Sequence, residues 1–213
     1  MTNSYLREDE TNPSITMSEK KLDNVNIVIL AKRHNPTIVS RDWVIKKGVL
    51  EEPIINFIHT PAFSKMESND FNIHVDSDRM QIVVKRVESD IINKLPLIIE
   101  KYVESLPETP YTAMGFNFSY QGIPEKNLKS IFSPDVEKFR KAFSEDYEVG
   151  GIIRFSFDDF IVMVNMRPEK KVIANFNFHT NIKGGYSEII AKLKSYHETM
   201  RKAEEVLEVL FDG

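Results

Sequence analysis

Residues 147–182 read as three consecutive strand segments separated by tight turns, the last of them alternating cleanly between apolar and polar side chains, and that pattern points to an antiparallel meander. The expected strands are 147–157, 160–167 and 171–182. Asp158-Asp159 and Pro168-Glu169-Lys170 join them, because Asp and Pro favour turns and do not readily continue a strand. In the third strand Val172, Ala174, Phe176 and Phe178 point one way, and Ile173, Asn175, Asn177 and His179 point the other. Such a sheet has an apolar face that needs a cover and a second face lined by small amides.

The rest of the chain supplies covers and further strands. Residues 1–23 are polar and read as a disordered arm. A strand follows at 24–33, with Val25, Ile27, Ile29 and Ala31 on one face, and His34-Asn35-Pro36 ends it. Ser40 is the expected N-cap of a short helix reaching Lys47, anchored by Trp43 and Val44 and stopped by Gly48. Four short strands at 53–60, 63–67, 71–76 and 80–87 lead to a helix at 89–106, in which Pro96 requires a kink or a later start near Leu95. Residues 111–120 form the next strand, and 124–143 a helix broken at Ser133-Pro134, with Ser133 as its cap. After the meander, 187–210 is a final helix.

Residues 24–106 and 107–213 therefore have the same order of elements: strand, helix, meander, long amphipathic helix. The expectation is an α+β fold, with an antiparallel sheet of seven to nine strands built from two strand–helix–meander–helix halves in one compact domain and the long helices on one face. This order resembles the TATA-box-binding-protein-like fold over most of residues 24–210, a likeness of topology that implies architecture and not function. Separately, His34-Asn35-Pro36-Thr37-Ile38 followed by Trp43 resembles a segment of a prokaryotic protein family of unknown function.

Composition narrows the function. The net charge of −4 is far from the basic balance of a dedicated nucleic-acid binder. With no cysteine, disulfides, thiolate metal sites and a cysteine nucleophile are excluded. The first 23 residues contain no apolar core of a secretory signal, and the longest apolar run, 27–31, falls far short of the roughly 20 residues a membrane helix needs, so a cytoplasmic chain without a membrane span is expected. No catalytic motif is present, and no cofactor or resident metal is expected.

The candidate site is the amide-rich sheet face: Asn117, Ser119, Arg154, Ser156, Asn175, Asn177 and His179 in the second half, with His74 among Asn72, Asp76, Gln81 and Lys85 in the first. Amides carry both donors and acceptors and suit polar recognition; the plain alternative is a solvated sheet face. His74 and Asp76 share a face and would ligate a metal only if His59 or His179 joined them. In the last helix Ile189, Leu193, Tyr196, Met200, Ala203, Leu207 and Leu210 step by four and three, a stripe that either covers the sheet or dimerises, with Met200, Leu207, Leu210 and Phe211 as the candidate contact. Gly184-Gly185 before that helix is a weak candidate anion cradle. These features lead to a non-catalytic binding or assembly protein that meets a protein partner or itself as a homo-oligomer. A small-ligand protein or enzyme near His74 and His179 is the alternative, and nucleic-acid binding a lesser one.

Overall fold

The computed structural model describes residues 20–123, 126–143, 147–168 and 172–211. Nine strands form one antiparallel sheet: β1 (Lys21–Ala31), β2 (Asn56–His59), β3 (Phe63–Glu67), β4 (Phe71–Asp76), β5 (Arg79–Val84), β6 (Tyr111–Ile123), β7 (Gly151–Phe157), β8 (Phe160–Arg167) and β9 (Val172–Asn181). Their order across the sheet is β2-β3-β4-β5-β1-β6-β9-β8-β7. Reading outward from the β1–β6 junction, each side begins with its first strand, then takes its meander from last strand to first. One side has five strands and the other four.

Alternation fixes which face is covered. Ile27 stands opposite Ile82 on β5 and Phe116 on β6; Phe116 stands opposite Phe178, and Phe178 opposite Val162. All five are buried. A one-residue slip at any junction would turn a whole strand's apolar set outward, so register is set by the pattern itself.

Helices cover this apolar face. α1 (Arg41–Lys46) begins at Ser40, whose hydroxyl accepts a hydrogen bond from Trp43 N at 3.3 Å, and Gly48 with φ +61 ends it in a backbone state that costs glycine nothing. The helix expected at 89–106 is two pieces, α2 (Ser89–Ile92) and α3 (Leu95–Ser105), with Pro96 in the first turn of the second. Proline is tolerated there because that turn's N–H has no helical partner to lose. Leu95, Ile98, Ile99, Tyr102 and Val103 make the buried stripe of α3, and burying each fully stabilises the fold by about 1.5–3 kcal/mol. In the second half α4 (Lys126–Phe132) and α5 (Val136–Phe143) precede the meander. Asp135, not Ser133, caps α5: its carboxylate accepts from Lys138 N at 3.1 Å, while Ser133 lies at φ 40 and donates back to Ser130 O. The last helix is likewise two, α6 (Tyr186–Leu193) and α7 (Tyr196–Phe211).

Strand boundaries differ from the sequence reading as well. β1 starts at Lys21, so residues 21–23 belong to the sheet and not to an arm; residues 1–19 lie outside the described residues. β7 starts at Gly151 rather than 147. A side chain at Gly150 would stand 2.6 Å from Met166 O, and one at Gly151 would enter the ring of Phe132, so both glycines mark close approach where the strand begins.

The His34-Asn35-Pro36 run closes the first half. His34 is 2% exposed. Its Nε2 lies 3.3 Å from Ile29 O, and a carbonyl only accepts, so the proton sits on Nε2; Nδ1 then accepts from the Tyr102 hydroxyl at 3.2 Å. Asn35 Oδ1 accepts from Thr37 N, and Pro36 O accepts from Ser64 Oγ at 3.0 Å. Trp43 packs edge-on against Tyr102 at 6.1 Å. This run ties β1, α1, β3 and α3 together. Burial holds the His34 imidazole below its ordinary value of 6.5, against the Ile29 carbonyl and the carboxylates of Asp76 and Asp78, which favour the charged form. The folded chain thus prefers neutral His34. Its contribution to stability is complete above pH 6.5 and is lost as pH falls from 6.5 through the lowered folded value. The denaturant midpoint should therefore drop between about pH 7.5 and about pH 5.5, and drop less in His34→Gln; equal drops in both proteins would remove His34 as the cause.

Candidate functional site

The opposite face of the sheet carries no helix among the described residues, and its side chains line up in rows across the strands. One row runs Arg154, Met163, Asn177, Asn117, Asn26, Val83 and Asn72. The next toward the start of β1 runs Ile152, Asn165, Asn175, Ser119 and Asn24.

The middle of these rows is a connected amide network. Asn177 Nδ2 donates to Asn117 Oδ1 at 2.6 Å, Asn117 Nδ2 to Asn26 Oδ1 at 3.0 Å, and Asn26 Nδ2 to Asn24 Oδ1 at 3.1 Å. Gln81 Nε2 reaches the same Asn26 oxygen at 3.4 Å. Beside it, Ser119 Oγ donates to Asn175 Oδ1 at 2.6 Å. Every donation along the Asn177–Asn117–Asn26–Asn24 chain has the same sense, so each amide polarises the next. The strands lie about 4.8 Å apart, close enough for adjacent short amides to meet. Longer polar side chains such as Lys or Glu would instead reach into water.

Asn26, Gln81, Asn117, Ser119, Asn175 and Asn177 line an open depression of 440 Å³ together with Val28, Met163 and Asn165. Its chemistry is neutral and mixed. Asn165, the Nδ2 of Asn175 and the Oδ1 of Asn177 have no partner among the described residues, so donors and acceptors stand ready beside apolar Val28 and Met163, the latter 43% exposed. Of the flanking charges, Lys85 Nζ lies 2.6 Å from Glu67 and Arg79 Nε 3.4 Å from Asp76, whereas Arg154 at the sheet edge has no carboxylate partner among the described residues.

Of the residues expected to form the site, Asn117, Ser119, Asn175 and Asn177 come together in this network. Arg154 and Ser156 stand on β7 at the sheet edge, on the same face and exposed. His74 and His179 do not meet. They share a row, but β5, β1 and β6 lie between their strands, so about 19 Å separates them. His74 instead sits 3.2 Å from Asp76, whose other oxygen accepts from Asp78 N and Arg79 N at 2.9 Å each and shapes the β4–β5 turn. Those bonds hold the Asp76 carboxyl below its usual range despite partial burial, which acts first and in the opposite sense. Among the described residues no three His, Asp or Glu side chains gather to hold a metal ion. At α6 the backbone N–H groups of Lys183 and Gly184 are taken by Glu188 Oε2, at 2.8 and 2.5 Å, so the chain's own carboxylate fills the cradle. In α7, Leu207 and Phe211 are buried against the sheet, and Met200 and Leu210 pack partly buried on the same core.

Sequence reasoning overlooked Asn24 and Asn26 of β1, Asn165 of β8, and the neighbouring Val28 and Met163. The signal was present in Asn24-Val25-Asn26-Ile27, which alternates as β9 does. What was missing was the strand order that sets β1 beside β6. No family model matches this sequence, and none of the curated proteins matches it.

If the amides act as a unit, Asn117→Ala and Asn177→Ala should each cost about 0.5–1.5 kcal/mol. The double variant should cost less than the sum, because either single change already removes their shared bond. Denaturant titration of the four proteins measures this, and strict additivity would show that the network has no coupling.

Proposed function

We propose that this chain is a non-catalytic binding protein whose uncovered, amide-lined sheet face engages a protein partner. The observation that carries the reading is the amide network itself. Six neutral polar side chains are hydrogen-bonded across adjacent strands and hold unpaired amide groups in an open depression beside exposed apolar atoms. A face needed only for solubility would favour long charged side chains, which lose nothing by pointing into water. Prearranged amides lose little side-chain freedom on binding, which favours recognition.

The electrostatics support a protein over a nucleic acid. Phosphate binding draws its affinity from unneutralised Lys and Arg, and here Lys85 and Arg79 face carboxylates, which leaves Arg154 at the sheet edge as an unpaired cation outside the amide network. The separation of His74 from His179 weighs against a catalytic pair on this face, and a small-ligand reading would have to rest on the depression around Asn165 and Asn175 alone. The mirrored strand order is consistent with a TATA-box-binding-protein-like architecture and carries no functional argument with it.

Affinity purification of the full chain from its host, beside Asn177→Lys, tests the proposal. A protein held by the wild type at a defined stoichiometry should be lost or weakened at least tenfold in the variant, with thermal unfolding lowered no more than in Asn177→Ala, since a buried mismatched charge costs about 1.4 kcal/mol or more. Retention of the same partner by both proteins would move the contact off this face.

A further inference from the structure

The two edges of the sheet are built differently. β2 is four residues long, with Pro53 before it and Pro61 after it, which is how proteins blunt an edge. β7 at the other edge is seven residues long, and no proline occurs from Gly151 to Arg167. Asp158-Asp159 is a two-residue turn, so its flanking residues Phe157 and Phe160 form a hydrogen-bonded pair, and the ladder alternates from there. Phe155 and Ile153 therefore turn their backbone groups toward β8. Ile152, Arg154 and Ser156 turn theirs outward, where no strand among the described residues meets them. This is also the side on which the sheet is one strand shorter.

We propose that β7 pairs antiparallel with β7 of a second copy of this chain, about a two-fold axis near Phe155, so that the sheet continues through a dimer. Charge complementarity selects this occupant. Arg154 has no carboxylate partner among the described residues, and Asp158, four residues on in the turn that follows the strand, is exposed and has no cationic one. Antiparallel self-pairing lays the beginning of one strand beside the end of the other. It brings Arg154 of each copy next to Ser156 of its mate and within side-chain reach of Asp158, twice by symmetry. Ile152, 63% exposed in the single chain, is covered in the same step. The contact uses the backbone of β7 and leaves the amide network on the face, so it stands independently of the partner site proposed above.

Light scattering during size exclusion, from low to high micromolar concentration, tests this pairing on the full chain. The wild type should reach twice the chain mass. Arg154→Pro removes an outward N–H that β8 does not use, so it should give a monomer with wild-type circular dichroism. Asp158→Asn, which keeps a side chain suited to the positive φ of 48 at this position, should weaken the dimer several-fold and reduce its salt dependence. Ile152→Glu, which sets a second carboxylate opposite Asp158 of the mate, should weaken it as well and decides the matter if Arg154→Pro fails to fold. Asn177→Lys should remain dimeric. A wild type that stays monomeric throughout overturns the proposal. So does a folded Arg154→Pro that dimerises as the wild type does, wild-type dimerisation in both Asp158→Asn and Ile152→Glu, or a monomeric Asn177→Lys.

Discussion

The pairing of β1 with β6 is the junction on which the remaining structure depends. It runs from Lys21–Gln121 to Ala31–Tyr111 and places the first strand of each half at the centre of one sheet. Because both strands are buried on one face, Val25, Ile27 and Ile29 meet Phe118, Phe116 and Met114 in a single register. That register then positions everything outward of it: β5 and β9 beside the central pair, the remaining strands beyond them, and the helices above. It also places Asn26 against Asn117, where two half-sheets with amides of their own become one network.

The division of the sheet into unlike faces follows from the pleat. Side chains alternate, so the covering of one face by α3, α6 and α7 leaves the other to be polar or partnered. His34 belongs to the covered side and shows how a polar group is kept there. Its two nitrogens are both satisfied, by Ile29 O and by the Tyr102 hydroxyl, and its neutral form is the favoured one. The sequence run that looked most distinctive, His34 to Trp43, thus finds its physical explanation in holding the end of β1 to the helical layer. The amide face works differently, since its groups bond to one another and keep further donors and acceptors toward the open side.

Much of this was legible in the residues. The strands of both meanders, the capped α1, the late start of α3 at Leu95 and the inward sets of β1, β6 and β9 follow from alternation, caps and proline, which are local effects. The misread points were also local. The continuous 187–210 helix is broken at Lys194-Ser195, and Asp135 rather than Ser133 caps α5. In the first case an unbroken apolar stripe conceals a turn, because α6 and α7 pack the same face on one core. In the second, two good capping residues lie two positions apart, on either side of Pro134, and the positive φ at Ser133 decides between them.

By itself the sequence determined the class, the elements and which side of each strand is apolar, because these depend on neighbours within a few residues. It also determined that Asn117, Ser119, Asn175 and Asn177 share a polar face. Only the tertiary structure decided that Asn24 and Asn26 join them, that His74 and His179 stand apart, and that Leu207 and Phe211 belong to the core. Those facts rest on strand order and on helix placement. Hydrogen bonds between Asn26 and Asn117, 91 positions apart, exist only once the sheet has closed at β1 and β6.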